Sequence, residues 1–356
     1  MALLWVDKHR PKSLDEIDYH KDLGKRLALL AKSGNQPHML FVGPSGAGKA
    51  TRVHALLREL YGTGVEASKV ETRSVAPNPN NPSNTVDIQV VVSNYHMQLS
   101  PSDVGNKDRA IVMQLIKEIA AHPPLGVHAF KVVVIEDAGT LSNEAQAALR
   151  RTMEKYMRTC RIILTTETAS KIIAPLRSRC LPIRVAAPSQ DEICHVLQKV
   201  AAAEGVKVPA ELAARIADKT GRDLRRALLT LETLHTQAGV SSLRADMPLV
   251  QEAWQTAIER AAKMILQEQT PKQAMAVRGA LYELLAACVP SDVLLKELLF
   301  KLIANEDNEE LLRKAITAAA CFEATMRQGS KDIFHLEAFV LRFMADFRAA
   351  KGRAMR

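Results

Sequence analysis

Two kinds of hydrophobic pattern divide the chain near Pro188. Before this residue, short apolar runs alternate with amphipathic stretches, whereas after it apolar residues recur at the 3.6-residue spacing of helices. The first part therefore predicts an α/β domain with a doubly wound parallel sheet, and the second part predicts helices alone. We place the predicted domains at residues 1–187, 188–243 and 244–356.

The predicted strands are apolar or β-branched runs, and the predicted helices have one apolar face. The strands cover residues 38–42, 86–92, 130–135, 161–166 and 181–185. The helices of the first part cover 23–32, 51–61, 100–121 and 143–155. Those of the second part cover 190–204, 209–219, 223–237, 248–268, 271–288, 291–303, 308–326 and 333–351. A Pro/Asn-rich stretch over 74–86 predicts an exposed loop.

A glycine-rich loop follows the first predicted strand and precedes a helix. It matches the phosphate-loop pattern G-x-x-x-x-G-K-[ST] at every position except the last, where Ala50 stands. Backbone N–H groups of such a loop surround phosphate oxygens, and Lys49 reaches the terminal phosphates. Ala50 lacks the hydroxyl that normally holds Mg²⁺, and Thr51 lies about 100° further around the helix. The predicted nucleotide-binding residues here are Gly43, Pro44, Ser45, Gly46, Ala47, Gly48, Lys49, Ala50 and Thr51.

Two adjacent carboxylates end the predicted strand over 130–135. Phosphate-loop ATPases place an Asp here to hold Mg²⁺, and often a Glu next to it to orient the attacking water. Glu136 and Asp137 present these two residue types in reversed order. A displacement of about 1 Å can cost roughly a hundredfold in rate, so the pair predicts a weakened hydrolytic site. The alternative is that both are strand-end charges that face solvent.

Composition narrows the class of protein. The 356 residues include 48 basic and 39 acidic ones, a net charge of +9, which favours a polyanionic partner. The five cysteines are scattered and never form a C-x-x-C pair, so we expect neither a disulfide framework nor a zinc site, and a reducing compartment fits. No apolar run reaches about 18 residues and no signal peptide is recognised, so we expect a soluble, intracellular protein without a membrane partner.

Several motifs together resemble the small subunits of replication factor C, the eukaryotic sliding-clamp loader. They are Trp5-Val-Asp-Lys-His-Arg-Pro11, the loop over 43–51, Leu149-Arg-Arg-Thr-Met-Glu-Lys-Tyr156 and Ser178-Arg-Cys180. Further stretches over 101–109, 281–290 and 333–339 resemble the one small subunit whose ATPase motifs are degenerate. The resemblance covers nearly the whole chain. It implies an AAA+ P-loop domain with a parallel sheet, a helical lid and an all-α collar that holds a hetero-pentamer.

The resemblance also implies roles for single residues. Val6 and Arg10 match the segment that lies over the nucleotide base, and Arg225 matches a lid arginine that touches the phosphates. Arg179 matches the arginine finger, which acts in trans on ATP held by a neighbouring subunit. Glu167 stands where the family usually has an Asn that senses the nucleotide.

Ordinary explanations of the two arginines stay open. Arg179 would be a solvated surface side chain, and Arg225 would pair with Asp223 or Glu232 on an exposed helix. Trp5 is better explained as a packing anchor than as a ligand contact.

In the family, the clamp loader encircles primer–template DNA, and basic residues near helix N-termini face the DNA phosphates. The matching candidates for DNA contact are Asn106, Lys107, Arg109, Arg150 and Arg151. For the last two, ion pairing within the helix is an alternative, because Glu154 and Lys155 lie one turn further on.

The resemblance implies a nuclear subunit that serves DNA replication and repair, together with other replication factor C subunits and the sliding clamp. We predict that it binds ATP or ADP without hydrolysing it; Mg²⁺ binding stays open, and no other metal is expected. The alternative is a subunit with its own active ATPase site. Ala50, the reversed acidic pair and Glu167 favour the first function. A P-loop kinase of small molecules would leave the long helical part without a role.

Overall fold

The structure is a computed structural model. It describes residues 3–34, 36–75, 85–100, 108–121, 130–239, 243–304, 306–329 and 331–354. The chain forms two compact units, Met1–Leu249 and Val250–Arg356. The division into three domains stays a prediction.

Seven strands form one sheet in the first unit. The strands are β1 (His38–Val42), β2 (Lys69–Val75), β3 (Val86–Val92), β4 (His96–Leu99), β5 (Lys131–Ile135), β6 (Cys160–Thr166) and β7 (Cys180–Arg184). The α-helices of this unit are α1 (Trp5–Lys8), α2 (Lys21–Lys32), α3 (Lys49–Tyr61), α4 (Asp108–Ala121), α5 (Asn143–Lys155), α6 (Ala174–Arg177), α7 (Gln190–Ala203), α8 (Ala210–Lys219) and α9 (Leu224–Ala238). The second unit contains α10 (Ala253–Gln267), α11 (Pro271–Ala286), α12 (Ser291–Ile303), α13 (Glu309–Met326) and α14 (Asp332–Ala354).

The sheet is parallel over most of its width. The strand order is β2-β3-β4-β5-β6-β1-β7, and the five strands from β4 to β7 in this order pair in parallel. The parallel sheet that we predicted is therefore confirmed for these strands. The exception is the edge, where β3 pairs antiparallel with both β2 and β4.

Two of the seven strands, β2 and β4, were not predicted from the sequence. β2 has mostly exposed side chains, with Val75 as its only buried residue, so it carries no apolar run. β4 is four residues long, which is too short for a periodic pattern to be recognised. Both owe their strand conformation to hydrogen bonds with neighbours rather than to their own composition. Residues 76–84, most of the predicted loop, lie outside the described part of the chain.

The central strands are buried on both faces. Val133 and Ile135 of β5 belong to one core, which includes residues of α4 and α5. Val132 and Val134 belong to a second core, which includes residues of α2 and α3. Successive side chains of a strand point to opposite faces, so a continuous apolar run fills both cores at once.

The prediction of helices after Pro188 is confirmed by α7 to α14. Ser189 caps α7 in a capping box with Glu192, and Asp223 caps α9 by accepting from the Arg226 N–H. The described helices of the second unit share an apolar core of their own. The start that we predicted for α4 at residues 100–103 falls mostly on residues outside the described part. No described helix combines the length and the apolar character that crossing a membrane requires.

Candidate nucleotide-binding site

A pocket of about 800 Å³ opens at one edge of the sheet. Residues that follow β1, β5 and β6 line it, because the carboxyl ends of parallel strands meet at the same edge. The predicted residues that line the pocket are Val6, Arg10, Ser45, Gly46, Gly48, Lys49, Ala50, Thr51, Glu136, Asp137, Glu167 and Arg225. Gly43, Pro44 and Ala47 belong to the loop but do not line the pocket. The fold thus brings together residues that lie up to 219 positions apart (225 − 6).

Two glycines of the loop have backbone angles and surroundings that exclude a side chain. Gly46 and Gly48 have φ of 66° and 83°, in the left-handed region. A Cβ at Gly46 would collide with the carboxylate of Asp223, and a Cβ at Gly48 would collide with the hydroxyl of Tyr19. The loop therefore lies between Asp223, which caps α9, and Tyr19, which belongs to the segment before α2.

Lys49 lies folded against the loop. Its Nζ donates to the carbonyl oxygens of Gly43 at 2.6 Å and Pro44 at 2.9 Å. Burial lowers the pKa of Lys49, while the nearby carboxylates of Glu167 and Asp137 oppose this shift. The carboxylate at the predicted sensor position therefore lines the same pocket as Lys49 and favours its charged form.

Tyr19 and Arg52 support the phosphate loop from behind, and neither was predicted from the sequence. The Tyr19 hydroxyl donates to the carbonyl of Ala47 at 3.1 Å. Arg52 is fully buried, its Nη2 donates to the carbonyl of Tyr19 at 3.0 Å, and its guanidinium lies 4.8 Å from the centre of the Tyr19 ring. Burial lowers the pKa of Arg52. A polar residue within a helix gives no sign in the sequence that it will be buried, so only the structure identifies this support.

The two carboxylates after β5 lie in the pocket rather than only in solvent. Asp137 has φ of 44°, an uncommon backbone angle for a residue other than glycine. Its N–H donates to Thr165 Oγ1 at 3.3 Å, and its carbonyl accepts from Thr140 Oγ1 at 2.8 Å. These hydrogen bonds hold the strained turn that carries the acidic pair.

Two arginines face the same pocket from different elements. Burial lowers the pKa of Arg10, and the charge of Arg225 lowers it further. The carboxylates of Asp7 and Glu136 act in the opposite direction. Like charges that converge on one cavity favour an anionic ligand, which suits the phosphates of a nucleotide.

The N-terminal segment that carries Val6 and Arg10 is attached to the lid. The Trp5 N–H donates to Glu232 Oε2 at 3.1 Å, and the Trp5 ring lies 5.2 Å from that of His235. Trp5 is buried and does not line the pocket, in agreement with a packing role.

Arg179 lies outside this pocket, in the turn between α6 and β7. Its Nε donates to Glu154 Oε1 at 2.8 Å, its Nη2 lies 2.5 Å from the same oxygen in an ion pair, and its Nη1 donates to the carbonyl of Pro175 at 2.8 Å. The Arg179 guanidinium lowers the pKa of Glu154. The side chain is therefore ion-paired rather than freely solvated.

The candidates for DNA contact are exposed where they are described. Arg109 on α4 pairs with Glu144 at 3.1 Å, and the Arg150 guanidinium lies 3.6 Å from Glu154 on α5. Arg151 is exposed on α5. Asn106 and Lys107 lie outside the described residues. Pairing of Arg150 within its helix is confirmed, and DNA contact stays a prediction for all five residues.

The parallel sheet, the phosphate loop at its carboxyl edge and the adjoining helices α7 to α9 define a P-loop nucleotide-binding protein of the AAA+ class. The fold is shared with the RuvB Holliday junction branch migration motor of Thermotoga maritima, at a TM-score of 0.50 and 17% identity over 76% of this chain and 85% of that one. A point mutant of the same motor superimposes at a TM-score of 0.53, with 15% identity over 83% and 91% of the two chains.

Three family descriptions match successive parts of the chain. "DNA polymerase III, delta subunit" matches residues 19–189, "RCF1/5-like, AAA+ ATPase lid domain" matches 195–236, and "Replication factor C subunit 3, C-terminal domain" matches 254–351. Human replication factor C subunit 3 is 44% identical over 97% of this chain and 96% of its own length. Replication factor C subunit 5 of Neurospora crassa is 47% identical over 98% and 97%. The chain belongs to the replication factor C small subunits of the clamp loader family, of the type named subunit 3 or subunit 5.

Proposed function

We propose that this chain binds ATP or ADP in its phosphate-loop pocket without hydrolysing it, and that it supplies Arg179 to ATP held by a neighbouring subunit. One observation carries the proposal. Lys49 and two arginines converge on the pocket, but Ala50 and Glu167 stand where hydrolysis needs a hydroxyl and an amide, and Arg179 lies outside the pocket. The chain thus has the groups for binding a nucleotide and lacks several that cleave one.

Within the pocket, the loop N–H groups and Lys49 bind the phosphates, Arg225 adds a second cation, and Val6 and Arg10 contact the base. The carboxylates of Glu136 and Asp137 are the hard oxygen ligands that the pocket offers to Mg²⁺, whereas Ala50 offers none. Bound with a nucleotide, Mg²⁺ neutralises phosphate charge. Glu167 lines the same pocket, and its negative charge competes with phosphate for Lys49.

The complex that follows from this family is a hetero-pentamer with other replication factor C subunits, held by the helices of the second unit. Exposed apolar side chains on these helices include Met275, Phe300, Ile316 and Leu341, which suits burial against neighbours. The complex uses ATP to load the sliding clamp onto primer–template DNA in the nucleus, in replication and repair. The net charge of +9 agrees with a DNA partner.

A second function is a subunit whose own site hydrolyses ATP. One observation favours it, because Glu136 and Asp137 line the same pocket as Lys49 and Arg225. The reversed order of the carboxylates, Ala50 and Glu167 all argue against efficient turnover.

The test is the steady-state ATPase activity of the reconstituted loader, with DNA and clamp, for Arg179→Ala and Lys49→Ala. We expect Arg179→Ala to remove about one subunit's share of turnover, because an arginine finger can contribute about 10³–10⁵ in rate at its site. We expect Lys49→Ala to change turnover little while weakening nucleotide binding by this chain. If Lys49→Ala removes the larger share, the second function is correct and our proposal is wrong.

A further inference from the structure

The contacts of Arg179 involve the Nε–Nη2 edge and the Nη1 nitrogen of its guanidinium. An arginine has five N–H bonds in a rigid planar fork. The one on Nε donates to Glu154 Oε1, one on Nη1 donates to the carbonyl of Pro175, and Nη2 lies 2.5 Å from the same Glu154 oxygen in an ion pair. Within the part of the chain that the structure describes, one N–H on each terminal nitrogen has no acceptor. The guanidinium is thus immobilised with two donors still available, enough for two phosphate oxygens.

The partner of Arg179 is attached to a rigid element. Glu154 lies near the end of α5, where Leu149 and Met153 are buried in the core of the first unit. Pro175 belongs to α6, whose Leu176 is also buried. The side chain of Arg179 is only 32% exposed, so it lies along the protein surface between these two helices. A functional group held by residues of packed helices keeps its geometry better than one on a free side chain.

We propose that Glu154 is a positioning residue that holds Arg179 ready to act on the neighbouring subunit's ATP. This inference rests on the proposed role of Arg179 in trans. Without Glu154, the long side chain samples many rotamers and must be ordered at each turnover. With Glu154, the ordering is complete before the neighbour docks, and the two remaining N–H bonds meet the developing phosphate charge.

The role differs from that of an ordinary surface ion pair. Exposed pairs contribute little to stability, so removal of Glu154 leaves the fold intact. Its effect should instead appear in the rate of a reaction that occurs on another chain. Glu118 provides a matched control, because it is 47% exposed against 49% for Glu154 and also accepts from an arginine, Arg73, at 3.1 Å.

The experiment measures kcat and KM for ATP in the full reconstituted loader with DNA and clamp. The variants are Glu154→Ala, Glu154→Gln, Arg179→Ala, the double variant Glu154→Ala with Arg179→Ala, and the control Glu118→Ala. We expect Glu154→Ala to lower the Arg179-dependent part of kcat roughly tenfold with KM unchanged, as for a group that acts only in the transition state. Glu154→Gln should recover part of the loss, because its amide oxygen still accepts hydrogen bonds. Glu118→Ala should leave kcat unchanged.

The double variant decides whether the two residues act as one unit. We expect it to match Arg179→Ala alone, since the effect of Glu154 on the rate acts through Arg179 and not through its other partner, Arg150. An equal loss from Glu154→Ala in both backgrounds would show an independent structural effect and overturn the inference. A normal kcat for Glu154→Ala, with a loss for Arg179→Ala, also overturns it while the proposed function stands. A normal kcat for Arg179→Ala overturns the proposed function, and the inference with it.

Discussion

The phosphate-loop pocket and the surface around Arg179 differ in what they need in order to act. The pocket is built entirely within the first unit, and cations from the loop, the N-terminal segment and the lid helix α9 converge on it. Arg179 lies outside the pocket, where it contacts Glu154 and the carbonyl of Pro175. In the proposed function, nucleotide binding and catalysis are therefore assigned to separate regions of this chain: the pocket holds the chain's own nucleotide, and Arg179 acts on ATP of a neighbouring subunit.

The largest expected effect comes from Arg179→Lys. A lysine keeps the positive charge but loses the planar fork that can contact both Glu154 and two phosphate oxygens. We expect turnover at the neighbour's site to fall by about 10³, near the lower end of what a finger contributes. The measurement is the steady-state ATPase activity of the reconstituted loader for Arg179→Lys, with Arg179→Ala measured beside it for comparison. Activity close to wild type would mean that a positive charge at position 179 is sufficient for catalysis. The distinction between a binding pocket and a separate catalytic arginine would then lose its support.

A smaller effect is expected for Gly46→Ala, which acts on the pocket alone. Alanine at a left-handed φ costs about 1–2 kcal/mol, and displacement of the Asp223 cap costs about 1 kcal/mol more. We therefore expect nucleotide binding by the chain to weaken roughly 30- to 150-fold, since about 1.4 kcal/mol corresponds to tenfold. Titration with a fluorescent adenine nucleotide measures this.

The control for this variant is Gly239→Ala. Gly239 has a similar φ of 62°, and a Cβ there would meet no atom within 4 Å. Gly239→Ala therefore introduces the same backbone strain as Gly46→Ala but no collision with a neighbouring side chain. Because position 239 does not line the pocket, nucleotide affinity should stay unchanged. Equal losses for both variants would show that strain anywhere in the unit weakens binding, and that the contact with Asp223 is irrelevant.

Tyr19→Phe should have a moderate effect. It removes the hydrogen bond to the carbonyl of Ala47 behind the loop, a contribution of about 0.5–1.5 kcal/mol. The lost hydrogen bond destabilises the loop conformation that binds the nucleotide, so we expect nucleotide affinity to fall roughly 2- to 12-fold. Hydrolysis that depends on Arg179 should be unaffected. Tyr61→Phe is the matched control, because Tyr61 is similarly buried and its hydroxyl donates to the carbonyl of Phe130 away from the pocket. A similar loss of affinity in both variants would show that the hydrogen bond from Tyr19 to the loop has no specific effect on nucleotide binding.

The smallest effect is expected for Ala50→Thr, which restores the missing hydroxyl. Glu167 and the reversed carboxylates stay in the pocket, so we expect loader turnover to rise by less than about threefold, because misplaced groups still limit the rate. The measurement uses an Arg179→Ala background, in which the neighbour's contribution is removed. A rise above about tenfold would show that the hydroxyl was the main defect and that the two regions differ less than we infer.

Much of the fold was predictable because its signals are local. The strand before the loop, β5 and most helix limits follow from apolar runs, amphipathic spacing and caps such as Ser189. The missed elements are those without a local signal. β2 and β4 are short or exposed, and their antiparallel pairing with β3 depends on partners elsewhere in the chain.

For the site, the residue types were predictable and their partners were not. The glycine loop, Lys49 and the acidic pair belong to a compact motif whose chemistry requires that spacing. Arg225 and Arg179 were identified only through a family resemblance, because a single arginine in a helix or a turn has no pattern of its own. Tyr19 and Arg52, which support the loop from behind, had no signal at all.

The sequence by itself determined the order of most strands and helices, the phosphate loop with its defect at Ala50, and the family. These depend on periodicity and on short motifs, which act over a few residues. Only the tertiary structure decided that Asp223 touches the loop, that Glu167 lines the same pocket as Lys49, and that Glu154 contacts Arg179. Such contacts join residues far apart in the chain, and they form because the sheet and its helices bring distant segments to one edge.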